Sequence, residues 1–209
     1  MVKNWKEITG VLVGILLIMV LVVIGLLRIS KEKGLGLSEL TEGASWVTEK
    51  GEIKVTVVEF SDLQCPACRE AEKIARSLRQ TEGVRFVFRH LPLTMIHKNS
   101  RKAAEVVEAT RSMGKGWEMM EVLFDKQEKW GSLNEDEFKT MVGDYVNDLG
   151  LDREEFERIL GLSEIEEQIK LDEEVARRLM INGTPTFFVN GNLVVSNLVL
   201  NEVDKLLKK

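Results

Sequence analysis

Apolar positions fall along this chain in three rhythms, each predicting a different kind of element. From Ile8 to Leu27 the run is apolar on every side, broken only by Thr9 and three glycines. Twenty residues at a rise of about 1.5 Å each reach about 30 Å, the thickness of a bilayer core. A helix without a polar face does not suit the surface of a globular domain. Residues 1–29 are therefore expected to form an uncleaved, single-pass signal anchor. A cleaved signal peptide is the alternative, although the run exceeds the usual h-region and no A-x-A site follows it. Residues 30–50 are rich in Gly, Ser and Glu and are expected to be a tether, with docking beginning near Trp46.

The second rhythm is a dense packing of β-branched and aromatic residues. IKVTVVEF (53–60) and VRFVFR (84–89) read as strands. Between them Ala71, Ile74, Ala75 and Leu78 keep helical spacing until Gly83, giving a βαβ unit. The third rhythm is helical and runs through 100–113, 117–129, 135–149, 152–160 and 164–180, punctuated by glycines, with Asn134 and Asp152 as N-caps. Two short strands then flank Asn190-Gly191, a favoured hairpin turn, and a last amphipathic helix covers about 198–207. This order predicts one α/β domain over 51–209, with a helical block inserted at about 98–163.

Composition narrows the function. The net charge is −5, and 30% of residues are charged. Lys3, Lys6 and Arg28 against Glu7 give the first 29 residues +2, which leaves −7 on the rest. An acidic domain without a basic stripe excludes nucleic acid as the partner. Lys and Arg flank the apolar run almost equally, so charge alone does not orient the anchor. Two cysteines, three positions apart, cannot be a disulfide framework, which uses several well-separated ones.

That pair, Cys65-Pro66-Ala67-Cys68, sits where the first strand gives way to a helix. Disulfide exchange needs a thiolate, and a free cysteine is only about 3% ionised at neutral pH. A helix N-terminus supplies unpaired N–H groups and a positive dipole end, worth up to about 2 kcal/mol. Pro66 fits the first turn, where its missing N–H costs nothing. Cys65 should be the exposed, attacking sulfur and Cys68, one turn inside, the shielded, resolving one. Ala67 brings no further cation or donor, which predicts an oxidant short of the strongest of its kind. Two alternatives stand beside this: an inert core pair, or a metal site with His90 and His97, whose spacing falls outside the usual H-x₃₋₅-H.

In this setting the chain resembles the DsbA family of thioredoxin-like thiol–disulfide oxidoreductases. The likeness covers roughly Val55 to Leu207 and is carried by VVEFSDLQCPACREAE (57–72), FRHLPL (88–93), GWEMMEVLFDKQ (116–127) and GTPTFFVNG (183–191). It implies a thioredoxin-like fold with a helical insertion. Thr184-Pro185 would be the loop facing the cysteines, with Pro185 cis, leaving the Thr184 backbone free to pair with a substrate peptide. Glu59 would be a buried acid that relays the proton of Cys68. The redox-active Cys65–Cys68 disulfide would be the only cofactor. Implied partners are reduced or unfolded proteins and a membrane quinone-linked oxidase of the DsbB or vitamin K epoxide reductase type. The resemblance also places the catalytic domain, expected to be a monomer, outside the cytoplasm on the cell membrane. Competing functions are a reductase or isomerase of the same fold, or a binding module or holdase with an incidental CxxC.

Overall fold

The computed structural model describes residues 12, 14–20 and 35–209, and the chain forms two compact units, 1–36 and 37–209. In the first, residues 14–20 are helical, with exposed apolar side chains from Ile15 to Val20. Most of the expected Ile8–Leu27 span lies outside the described residues. Among the described residues no helix is long and apolar enough to cross a membrane.

The second unit is built on a mixed five-stranded sheet. Its strands are β1 (Trp46–Glu49), β2 (Val55–Ser61), β3 (Val84–His90), β4 (Thr186–Val189) and β5 (Asn192–Val194), in the order β1-β3-β2-β4-β5. The parallel β2–β3 pair is joined across one face by α2 (Pro66–Gln80), as the βαβ pattern predicts; the other pairs are antiparallel. Every residue of β2 is buried, consistent with its unbroken β-branched run at the sheet centre. Asn190 and Gly191 both take positive φ, 47° and 83°, so the β4–β5 hairpin closes as the Asn-Gly turn requires.

Register fixes the two faces. Val57 pairs with Phe86 and Glu59 with Phe88, so Val55, Val57, Glu59 and Ser61 share the face covered by α2. The same face receives α9 (Val199–Leu207) and α4 (Gly116–Asp125), whose Trp117 meets the rings of Trp46, Phe86 and Phe88 edge-on or tilted. On the other face Phe60 packs against Phe188, and Arg89 reaches α8 (Ser163–Arg178). The remaining helices, α3 (Ser100–Ser112), α5 (Gln127–Trp130), α6 (Glu135–Asp148) and α7 (Arg153–Leu160), complete the block between β3 and α8.

Two expectations change. Residues 37–49, read as tether, belong to the folded unit: Leu37–Thr41 forms α1, and β1 adds an edge strand to β3. The physical reason is Arg89. It is fully buried, pairs with Asp172 at 2.6 Å, and donates to the backbone carbonyls of Leu40 and Glu42. The helix expected over 117–129 is instead two pieces, α4 and α5, parted at Lys126. The break turns Gln127 inward, where its Nε2 donates to the carbonyls of Leu63 and Cys65 at 2.8 and 3.0 Å.

Candidate active site

Strand β2 delivers the chain to a tight turn at residues 62–65, and α2 starts at once. Cys65 is the N-cap of α2, with extended backbone (φ −75°, ψ 123°), and Pro66 occupies the first helical turn. An N-cap side chain faces the N–H groups two and three residues on. Here these belong to Ala67 and Cys68. Cys65 is 7% exposed and Cys68 wholly buried, while Pro66 and Ala67 lie open to solvent. Cys65 is thus reached through a narrower opening than the sequence suggests. Both cysteines are free thiols in this structure.

The two sulfurs are electrostatically unequal. The Cys65 thiol is lowered from 9.0 to about 5, first by a hydrogen bond from Cys68. Burial opposes this, and the backbone N–H groups of Cys68 and Ala67 and the Thr184 hydroxyl add to it. Cys68 is pushed well above the ordinary thiol range, first by burial and then by its hydrogen bond to Cys65. Asp62, Ser61 and Thr184 pull it the other way. One thiol is therefore an anion at neutral pH and its neighbour holds its proton.

The Thr184–Pro185 peptide bond is cis, and the loop lies against the pair. The Cys65 thiol donates to the Thr184 carbonyl at 3.6 Å. The Thr184 hydroxyl oxygen is buried without an aligned hydrogen-bond partner, and the hydroxyl favours the Cys65 thiolate.

Glu59 lies on the α2 face of β2, 1% exposed, and its Oε2 has no hydrogen-bond partner. Burial, reinforced by the Glu72 carboxylate on α2, raises it from 4.5 to about 8; Ser61 and Arg79 only partly offset this. Ser61, two residues on along the same face, is also buried, and its hydroxyl is not aligned on any partner.

Each histidine faces a carboxylate. His97 Nδ1 is 2.8 Å from Asp62 Oδ2, and His90 Nε2 is 3.2 Å from Glu108 Oε1. Among the described residues no group of three or more His, Cys, Asp and Glu side chains could hold a metal.

Sequence reasoning did not single out Asp62, yet every polar atom of that residue is engaged. Its N–H donates to Cys68 Sγ at 3.5 Å, and its carbonyl accepts from the Cys65 N–H at 3.0 Å. Oδ1 accepts from the Gln64 N–H and Oδ2 from the Leu93 N–H, each at 2.8 Å, with His97 also on Oδ2. An Asp whose side chain caps the N–H two residues on is a turn signature, and that signal was available. Gln127 was also missed, because its role depends on the break between α4 and α5.

The chain matches the thioredoxin family model over residues 49–209. It is 38% identical over 141 residues to the Na(+)/H(+) antiporter NhaA 3 of Salinispora tropica, covering 67% of this chain but 21% of that protein. The chain thus spans about a fifth of that relative's length. With the probable disulfide bond formation protein D of Bacillus cereus it shares 28% identity over 208 residues, 92% of this chain and 94% of that one. The crystal structure of oxidised BdbD from Bacillus subtilis superposes with a TM-score of 0.66 at 26% identity, covering 81% of this chain and 95% of that one. With its cysteine pair at the head of α2 and its cis-proline loop alongside, this chain belongs to the thioredoxin family.

Proposed function

We propose that this protein introduces disulfides into secreted or membrane proteins by exchange through Cys65 and Cys68, on the outer side of the cell membrane. The observation that carries the reading is the asymmetry of the pair, with Cys65 held near pH 5 and Cys68 far above the thiol range. A stabilised thiolate favours the reduced dithiol over the disulfide and makes the couple oxidising, by about 30 mV for each 1.4 kcal/mol.

A substrate thiolate attacks Cys65 Sγ; the Cys65–Cys68 bond breaks, and Cys68 leaves with the electron pair. Cys68 takes up a proton, for which neutral Glu59 is the donor. A second substrate thiolate then attacks the substrate sulfur of the mixed disulfide and expels the Cys65 thiolate, a good leaving group because it is a weak base. The substrate dithiol has lost two electrons, and the protein has gained them. Thr184 and Pro185 hold the substrate strand beside Cys65. A quinone-linked membrane oxidase of the DsbB or vitamin K epoxide reductase type returns the pair to the disulfide. The apolar run Ile8–Leu27 anchors the chain, which is expected in the membrane fraction and released only by detergent.

Equilibrium titration of the pair against glutathione tests the direction. The reading expects a potential well above that of the glutathione couple; a value near that of thioredoxin would make the protein a reductase. Cys65→Ser should abolish exchange and Cys68→Ser should accumulate mixed disulfides. The reverse pattern would exchange the assigned roles.

A further inference from the structure

We infer that Asp62 and His97 are positioning residues for the resolving sulfur, fixing the turn so that the Asp62 N–H stays on Cys68 Sγ while that sulfur is ionised. The inference rests on the exchange chemistry proposed above. Its geometry starts at the turn. Asp62 is the residue from which both cysteines hang, Cys65 by its N–H and Cys68 by its sulfur. The side chain is 1% exposed and is gripped from a second segment, the loop after β3, by the Leu93 N–H and by His97 Nδ1. The grip is itself braced: the Ser100 hydroxyl donates to the His97 carbonyl at 2.8 Å, and the Asn99 N–H to Gln64 Oε1 at 2.7 Å.

Cys68 must become an anion in the step that makes or breaks the 65–68 bond, in a place that disfavours charge. A hydrogen bond to the charged form is what offsets such burial. Asp62 supplies it from the backbone, so no substitution other than proline removes the donor itself; loss of the grip lets it drift. His97 is the single side chain in that grip, and its ring nitrogen occupies the position that an asparagine amide can imitate.

The two steps separate in one experiment on the reduced full-length protein mixed with the disulfide reagent DTNB. Cys65 attacks first, with release of one thionitrobenzoate. Cys68 then loses its proton and attacks Cys65 Sγ, the mixed disulfide breaks, and the second thionitrobenzoate leaves. His97→Ala should leave the first release within about twofold of wild type and slow the second about five- to tenfold. His97→Asn should restore the second phase. His97→Gln, whose amide lies one methylene too far out, should not. An unchanged second phase in His97→Ala, or Asn and Gln behaving alike, overturns the inference. If His97→Ala does not fold, the Asn–Gln comparison decides. A wild-type protein showing no first release below pH 8 would sink the proposed function and this inference with it. A normal wild-type reaction with no effect of residue 97 would sink the inference alone.

Discussion

At the scale of single residues, one cysteine is made acidic by making its neighbour basic. Cys68 donates to Cys65 and holds its own proton because it is buried, so the two shifts share a cause. An unperturbed cysteine alkylates with a midpoint near pH 8.5. Iodoacetamide should modify reduced Cys65 with a midpoint near pH 5, the value about which its thiol is held. Cys68→Ala removes the first contributor to that shift and should move the midpoint upward by about one unit or more. An unmoved midpoint would assign the acidity to the helix N–H groups and Thr184 instead. Glu59 shows the opposite use of burial, since a carboxylate raised to about 8 is still an acid at neutral pH and has a proton to give.

At the scale of elements, the N-terminal arm and the sheet are held together by a charge. Arg89 projects from β3 into the face opposite α2, where Asp172, Leu40 and Glu42 accept from it. Asp172 also accepts from the His90 N–H at 2.9 Å. Removing one partner of such a pair leaves the other charge buried, at about 3–5 kcal/mol. Arg89→Leu should lower the free energy of unfolding in urea by that amount and expose residues 37–49 to proteolysis; a loss below about 1 kcal/mol would show that the arm is held by Leu40 and Trp46 alone. The βαβ unit and the Asn-Gly hairpin were legible because their patterns are local. β1 was not, because its four residues WVTE carry little more than Trp46 as a burial signal and take their place from β3, some 40 residues away. A charge inside the otherwise apolar VRFVFR was the available hint that something must come to meet it. The site divides in the same way. Cys65 and Cys68 announce themselves by spacing, Thr184-Pro185 only through resemblance, and Asp62 only as a turn residue, since its partners Leu93 and His97 lie 31 and 35 residues on.

At the scale of the whole molecule, these shifts make stability depend on pH and redox state together. In the reduced protein Cys65 titrates near 5 rather than 9.0. A depressed pKa gives stability that is complete above the unfolded value and is lost as pH falls through the folded one, so this contribution grows from about pH 5 to pH 9. Glu59, raised from 4.5 to about 8, runs the other way: its contribution is complete below 4.5 and is lost as pH rises through about 8. Glu72 and Asp172, shifted upward, and Glu108, shifted downward to about 2, have no part in the disulfide and act alike in both redox forms. In the disulfide form neither cysteine titrates, and the losses at the raised carboxylates Glu59, Glu72 and Asp172 stand unopposed. Urea unfolding of both forms at pH 5, 7 and 9 should therefore show the oxidised protein weakening more steeply with rising pH than the reduced protein. One proton sets a ceiling of about 1.4 kcal/mol per pH unit on the widening gap; a sulfur partly open to solvent should reach about half of that. A gap that stays constant or narrows between pH 5 and 9 would mean that the Cys65 anion contributes nothing to the fold, and would remove the thermodynamic support for the proposed direction of exchange.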